Sequence, residues 1–170
     1  GTDTPYPFAS GSEIMRTVRD EIPDIHRQHA LDDYHHGFVP RMESIAAQFV
    51  QNAWLDLGWH LAVGDEFTGA SHIEALGIVE AHHGLARTQI WSLRDEGLLR
   101  QVGGDTWQVV QVPHRVDVTP RADALAREYP RFATEVELHQ RTGPHLAAIL
   151  TGATDPLHLL FPGGSAELLE

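Results

Sequence analysis

The stretch Leu85–Val110, LARTQIWSLRDEGLLRQVGGDTWQVV, decides the fold that we predict for this chain. Its first half has apolar residues at helical spacing and stops at Gly97, a residue type that commonly ends helices. Its second half predicts two strands joined by the turn Gly103-Gly104-Asp105, where glycines supply positive φ angles. A shorter helix with Thr68 or Ser71 near its cap comes before this stretch. The order helix, helix, strand, turn, strand indicates a winged helix.

The longest predicted helix runs from Arg41 to Leu61 and is apolar around most of its circumference. Its polar residues form one strip with a spacing of four: Ser44, Gln48, Asn52 and Asp56. Such a helix is either buried on most sides or packs against a neighbouring domain. Residues 12–21 predict a short helix, residues 24–39 a helix broken at Gly37, and residues 120–161 a series of short helices.

These patterns predict a mainly α fold with a small winged-helix-like β-hairpin (α+β). We expect residues 1–12 to be a linker and residues 13–170 to form a single helical domain. Within it, a winged-helix-like subdomain covers about 69–112 and C-terminal helices cover 120–170. Because the chain starts at Gly1 and closes on an apolar segment, we expect it to be part of a longer polypeptide.

The composition disfavours several classes of protein. Twelve cationic residues, all of them arginine, oppose 24 acidic residues, which gives a net charge of −12. Such a charge repels a phosphate backbone. The chain has no cysteine for a thiolate nucleophile and no lysine for Schiff-base chemistry. The sequence shows neither a signal peptide nor a transmembrane run, so we expect a cytoplasmic protein without membrane or nucleic-acid partners.

The helix of the quoted stretch would be the DNA-reading helix of a winged-helix regulator. It carries Arg87 and Arg94, but Asp95 and Glu96 follow, and the predicted wing at Asp105 is acidic. We therefore favour a module that contacts other protein domains and keep a DNA-binding regulator as an alternative.

Histidines are concentrated near the start of the chain. On a helix, His26 and His29 would share a face that Asp32 could join, with His36 one further turn away. These four residues are the candidate ligands for a metal, and a small histidine–metal enzyme or metal-binding domain is the second alternative. Loose clusters of this kind are more typical of a solvated surface.

No motif for catalysis or for cofactor binding is found. A G-x-S-x-G elbow is absent, and no G-x-G-x-x-G follows a predicted strand, so we predict neither catalytic residues nor a cofactor. Large apolar side chains are the remaining candidates, and we predict partner contacts for Trp54, Leu57, Leu159 and Phe161.

The segment GPHLAAILTGATDPLHLLFPGGS, residues 143–165, resembles the stretch that leads into the catalytic core of C-methyltransferase domains in polyketide synthases and hybrid nonribosomal-peptide synthetases. The matching residues are Gly143, Pro144, Leu146, Leu150, Gly152, Asp155, Pro156, Leu157, Leu159, Leu160, Phe161, Pro162, Gly163, Gly164 and Ser165. Residues 85–109 are similar to the same family's helix and wing, and residues 42–59 to its N-terminal helical region, in a less specific way. The resemblance covers residues 40–170.

The resemblance implies a lid or N-terminal helical subdomain that covers a Rossmann-like S-adenosylmethionine core. In the family that core and its catalytic residues follow the matching segment, so the resemblance assigns no catalytic residue to this chain. It implies a noncatalytic structural or interaction module of a synthase assembly line, whose partners are adjacent catalytic or carrier domains of the same polypeptide.

Overall fold

The computed structural model describes the backbone of residues 24–161 and the side chains of residues 27–161. The predicted helix over residues 12–21 lies outside this range. So does the end of the family-like segment, residues 162–165. None of the described helices is both long enough and apolar enough to cross a membrane.

The described residues form eight α-helices and three short strands. The N-terminal helices are α1 (Asp24–Asp32) and α2 (Val39–Asp56), with a π-helical segment (Asp33–Phe38) between them. Next come β1 (Glu66–Thr68), α3 (Gly69–Ala75), α4 (His83–Asp95), β2 (Leu99–Gly103) and β3 (Thr106–Val109). The remaining helices are α5 (Thr119–Glu128), α6 (Ala133–Thr142), α7 (Leu146–Leu150) and α8 (Pro156–Leu160). Short 3-10 turns precede α4, α6 and α7: Glu80–His82, Pro130–Phe132 and Gly143–His145.

The N-terminal helices differ from the prediction at both ends of α2. The predicted break at Gly37 is wrong, because the chain passes through the π-helical segment and continues into α2 without interruption. A Cβ at this position would collide with the hydroxyl of Tyr129, so a larger residue would require that side chain to shift. Helix α2 ends at Asp56 rather than Leu61, since Gly58 has a φ of 98° that terminates the helix.

The three strands form one antiparallel sheet in the order β1-β3-β2. Trp107 in the central strand is paired with Phe67 on one side and with Gln101 on the other. The hairpin and both helices before it are where the sequence predicts them, but β1 was not predicted. In the turn, only Gly104 has a positive φ, of 55°. The predicted fold class, mainly α with a small winged-helix-like β element, is confirmed.

The buried apolar side chains form two clusters, and α2 contributes to both. The first, which we call the winged-helix cluster, contains Val50, Ala53, Trp54, Trp59, Ile73, Leu76, Ile78, Ala86, Ile90, Leu93, Leu98, Leu99, Trp107, Val109, Leu146 and Leu150. The second, which we call the helical cluster, contains Ala30, Tyr34, Phe38, Met42, Ile45, Phe49, Val118, Ala122, Leu125, Phe132 and Val136. Residues of one helix thus lie in two cores, and α2 connects them.

Candidate interaction surfaces

The wing is held against the start of α3 by Asp105. Its Oδ2 accepts a hydrogen bond of 2.9 Å from the amide of Ala70, and its carbonyl accepts one of 2.8 Å from the amide of Gly69. Thr68 caps the same helix, as the sequence predicts, by accepting from the amide of Ser71. The acidic residue in the wing therefore satisfies amides at a helix N-terminus, a location where a carboxylate is favourable.

The outer face of α4 presents an exposed tryptophan. Trp91 is 40% exposed, and its ring meets the buried ring of Trp107 edge to face with the centroids 4.9 Å apart. The guanidinium of Arg94 lies 4.6 Å from the Trp91 ring centroid. Asp95 Oδ1 accepts two hydrogen bonds from Arg94, of 2.7 Å and 3.1 Å. Trp91 is thus positioned by contacts on two sides while part of its surface remains in solvent.

Helix α8 is fixed at both ends. Asp155 Oδ1 accepts from the amide of Leu157 at its start, and Nη1 of Arg141 donates to the carbonyl oxygen of Leu160 at its end, at 3.4 Å. The side chain of Leu160 is 2% exposed. The bond from Arg141 and the buried side chain of Leu160 hold α8 against α6, while Asp155 caps the start of α8.

The other apolar side chains of α8 and its C-cap are only partly covered. Leu157 is 50% exposed. Leu159 and Phe161, two of the residues predicted to contact a partner, are half-buried. Leu157 and Phe161 are four residues apart, so they lie on the same side of the helical turn. The segment therefore combines a rigid anchor with apolar surface that the described residues leave in solvent.

The two interaction candidates on the long helix have different positions. Trp54 is 0% exposed, and its indole nitrogen donates a hydrogen bond of 3.0 Å to Gln89 Oε1. Leu57 is half-buried and packs against the winged-helix cluster. Trp54 is therefore a core residue, and the predicted partner contact of this side chain is corrected to an internal one.

The polar strip of α2 binds a segment that sequence reasoning missed. Residues 113–118, which we call the strap, run from the hairpin to α5 along this helix. Asn52 donates to the carbonyl of Val116 at 2.7 Å and accepts from its amide at 2.9 Å. Asp56 forms an ion pair with Arg115. The spacing of four in the strip was a detectable signal, but it does not reveal which segment the strip binds.

The candidate metal ligands are not brought together among the residues whose side chains are described. His29, Asp32 and His36 are exposed, and Asp32 accepts a hydrogen bond from Gln28. The side chain of His26 lies outside the described residues. Within the described part of the chain, no group of three or more histidine, aspartate or glutamate residues could hold a metal ion.

His72 is the most strongly perturbed histidine in the described region. It is 8% exposed, and its ring is surrounded by those of Phe67, Trp54 and Trp59, with centroids 4.5 Å, 5.3 Å and 5.9 Å away. Among the described residues, no group forms a hydrogen bond with Nε2. Burial lowers the pKa of His72 to about 4 because an imidazolium would lose its hydration there. This histidine is therefore neutral at pH 7 and acts as an aromatic core residue.

A second set of shifted groups lies in the helical cluster. The hydroxyl of Tyr34 donates to Glu135 Oε2 at 3.3 Å. Burial raises the pKa of Glu135, an effect that this hydrogen bond opposes. Burial and the nearby carboxylate both raise the pKa of Tyr34. The pair links the π-helical segment to α6, so its geometry is that of a structural contact.

Comparison with known proteins identifies relatives in polyketide biosynthesis. The non-reducing polyketide synthase ausA of Aspergillus calidoustus is 30% identical over 133 residues, which are 76% of this chain and 5% of that protein. The polyketide methyltransferase ustM of Ustilaginoidea virens is 26% identical over 171 residues, which are 99% of this chain and 38% of that protein. The chain thus spans well under half the length of the curated relatives it matches.

Solved structures contain the same fold. The DszA carbon methyltransferase superimposes with a TM-score of 0.70 at 24% identity, over 99% of this chain and 42% of that structure. No protein-family model matches the sequence. The chain is therefore similar in sequence to a polyketide synthase and to a polyketide methyltransferase, and similar in fold to part of a carbon methyltransferase.

Proposed function

We propose that this chain is a noncatalytic structural and interaction module of a polyketide or hybrid synthase, which docks on a neighbouring catalytic or carrier domain. The relatives with which it shares sequence include a large polyketide synthase and a polyketide methyltransferase, and it spans 5% of the first and 38% of the second. We further propose that residues 13–170 act as one domain with a winged-helix-like subdomain at about 69–112. The contribution of α2 to both clusters supports this unity.

The observation that carries the proposal is the apolar surface of α8. Leu157 is 50% exposed on a helix whose ends are held by Asp155 and Arg141, so presenting this surface costs little additional ordering when a partner binds. Leu159 and Phe161 add half-buried apolar area next to it. Together with flanking residues, a patch that buried ~800 Å² on each partner would form an interface of standard size.

The distribution of perturbed groups supports a noncatalytic role. Active sites tend to gather titratable groups of shifted pKa in a cleft. Two open cavities, of about 470 Å³ and 480 Å³, are present in the described part of the chain. Neither cavity is lined by His72, Glu135 or His139, three side chains whose pKa values are shifted. Their shifts come from burial within packed interiors.

Calorimetric titration of the purified chain with each flanking domain of its parent synthase tests this function. We expect at least one domain to bind, and Leu157→Asp to weaken that binding about tenfold or more because it places a charge in an apolar interface. Val63→Asp is the matched control, since Val63 is 59% exposed and precedes β1 instead of belonging to α8. Binding of no domain, or equal effects of both variants, would refute docking through α8.

A methyl-transfer assay tests the noncatalytic part of the proposal. The chain alone, supplied with S-adenosylmethionine and a β-keto thioester, should give no methylated product above the background without protein. Product formed in proportion to the amount of this chain would overturn the proposal. A preparation with the exposed variant Val63→Asp should give the same rate as the unaltered chain in either case.

A further inference from the structure

The exposed face of α4 contains the residue types that dominate protein interfaces. Arg87, Thr88, Trp91 and Arg94 are all exposed, and their spacing of three and four residues places them on one side of the helix. Tryptophan and arginine are the types most enriched among residues whose truncation abolishes binding. In a winged helix this is the helix available for recognition, and here it presents an aromatic ring between cationic groups.

Trp91 is arranged so that it loses little freedom when a partner binds. Its ring rests edge-on against the buried Trp107 at 4.9 Å, and the Arg94 guanidinium lies over it at 4.6 Å. Because these contacts fix the side chain in the free protein, the entropic cost of ordering it in an interface is small. A side chain held in this way and still 40% exposed is suited to act as an interface anchor.

Arg94 retains hydrogen-bonding capacity for a partner. A guanidinium carries five N–H donors. Asp95 accepts two of them, from Nε and Nη2, which leaves three for another acceptor. The side chain of Arg94 is 44% exposed. Asp95 therefore positions the guanidinium without occupying all of its N–H donors. A carboxylate is the acceptor that matches the remaining donors best.

The charge of the whole chain restricts which partner can use this face. The net charge is −12, so an acidic partner is repelled by most of the surface and attracted only where cations are grouped. Arg87 and Arg94 lie two turns apart on α4, on either side of Trp91. Asp95 on the same face is bonded to Arg94, and Glu96 follows it. These acidic residues limit the attraction to contacts at the two guanidinium groups. A nucleic acid would need a wider basic area, and the wing residue Asp105 is also acidic.

We propose that this face of α4 is a second docking site, which binds an acidic surface of another synthase domain, with Trp91 as the apolar anchor and Arg87 and Arg94 as carboxylate contacts. The inference rests on the proposed function, because it assumes that the chain works beside other domains. It goes further by assigning a separate surface and the chemistry of its partner. The partner surface presents carboxylates around an apolar side chain.

Calorimetric titration of variants with the separately produced domains flanking the chain in its parent synthase tests the site. Arg94→Glu and Trp91→Ala should each raise the Kd for one domain by about tenfold or more. Raising salt from about 50 to 200 mM should weaken the same complex. Arg100→Glu is the matched control, since Arg100 is an exposed arginine on β2 that bonds to Gln108, and it should leave the Kd unchanged.

Thr88→Glu provides a second variant in case Trp91→Ala disturbs the packing on Trp107. It adds a carboxylate to the same exposed face and should also weaken binding about tenfold. Unchanged Kd values for Arg94→Glu and Thr88→Glu would overturn the inference. Binding of a random-sequence DNA duplex to this face, with no binding of a synthase domain, would also overturn it. If only Leu157→Asp reduces binding, the α8 docking function stands and this inference fails. If no domain binds the unaltered chain, both fail.

Discussion

The winged-helix cluster and the helical cluster share α2, yet they are assembled over different distances along the chain. In the winged-helix cluster, Trp54 bonds to Gln89, which is 35 residues away, and the paired strands β2 and β3 are adjacent in sequence. In the helical cluster, Tyr34 bonds to Glu135 across 101 residues and packs edge-on against Phe132. The first is built largely from residues 50–109, to which α7 adds Leu146 and Leu150, whereas the second joins residues 30–49 to residues 118–136.

The difference in sequence separation explains why both clusters depend on the long helix α2. Closing a long loop costs entropy that contacts must offset, so distant segments need a surface that is already ordered. Helix α2 provides that surface for both clusters: Val50 and Trp54 lie in one, Met42 and Phe49 in the other. We therefore expect the two clusters to unfold together.

The largest expected effect comes from emptying either core. Trp54→Ala and Phe38→Ala each remove a side chain that is 0% exposed and should each lower the free energy of unfolding by about 4 kcal/mol. Trp54→Ala also leaves Gln89 without its partner. Urea titrations followed by far-UV circular dichroism measure both losses. A loss below about 2 kcal/mol in either variant would contradict the assignment of that side chain to a packed core.

Tryptophan fluorescence extends that experiment to cooperativity. All four tryptophans, Trp54, Trp59, Trp91 and Trp107, belong to the winged-helix region or contact it. In Phe38→Ala the fluorescence and the circular dichroism should change at the same urea concentration, because α2 couples the clusters. A loss of helical signal before the fluorescence changes would show that the helical cluster unfolds on its own.

Acidification should act most on the winged-helix cluster through His72. The pKa of His72 is lowered to about 4, so the folded state stays neutral while the unfolded state takes up a proton below its ordinary pKa of 6.5. Stability is therefore complete above that ordinary value and falls as the pH approaches 4, by about 3 kcal/mol at most. Urea titrations between pH 7 and pH 4 measure the loss.

His72→Phe is the test variant for this titration, because it keeps an aromatic ring and removes the proton site. Its pH dependence should be shallower than that of the unaltered chain. His139→Phe gives the comparison on α6. Burial also lowers the pKa of His139, but its ring is bonded to the carbonyl of Glu135, and that bond opposes the shift. Parallel pH curves for His72→Phe and the unaltered chain would contradict the assignment.

Removing the hydrogen bonds between α2 and the strap should lower the free energy of unfolding by an intermediate amount. Asn52→Ala removes two hydrogen bonds to Val116 and leaves that backbone amide and carbonyl without them, at a cost of about 2 kcal/mol. Thermal and urea unfolding measure the change. Gln101→Ala removes a single exposed bond to Gly104 and should cost no more than about 0.5 kcal/mol. Similar losses in the two variants would show that the bonds between Asn52 and the strap contribute little to stability.

The smallest effect should come from the wing. Asp105→Ala removes the carboxylate that accepts from the amide of Ala70 at the start of α3, and loss of such a cap costs about 1 kcal/mol. Asp105→Asn keeps an acceptor oxygen and should recover most of the loss. Thermal unfolding of the two variants checks the order. A change of more than about 2 kcal/mol would mean that the wing supports the core as well as α3.

Much of the winged-helix region was predictable because its signals are local. The termination of α4 before Gly97, which has a φ of 82°, and the cap of Thr68 on α3 depend on residues a few positions apart. Such signals act through backbone sterics and short-range hydrogen bonds, which the neighbouring sequence determines. Strand β1 was missed because three residues are too few to establish an alternating pattern, and pairing with β3 creates it.

The interaction surfaces were only partly predictable from residue type. An apolar periodicity identifies a face but does not say whether protein or solvent covers it. Trp54 and Leu159 were equivalent candidates in the sequence, yet the first is covered by Gln89 and its neighbours while the second is half-buried on α8. Trp91 was not selected, because only the position of Trp107 beneath it shows that it projects outward.

The sequence by itself determined the hairpin, the two helices before it, most of α2 and the resemblance to polyketide methyltransferase domains, since all of these follow from short segments and their order. The tertiary structure alone decided that Gly37 lies in a π-helical segment beneath Tyr129, that the strap binds the polar strip of α2, and which apolar side chains remain exposed. The physical reason is distance: burial and hydrogen bonding depend on segments up to about a hundred residues apart, which meet only when the chain has closed.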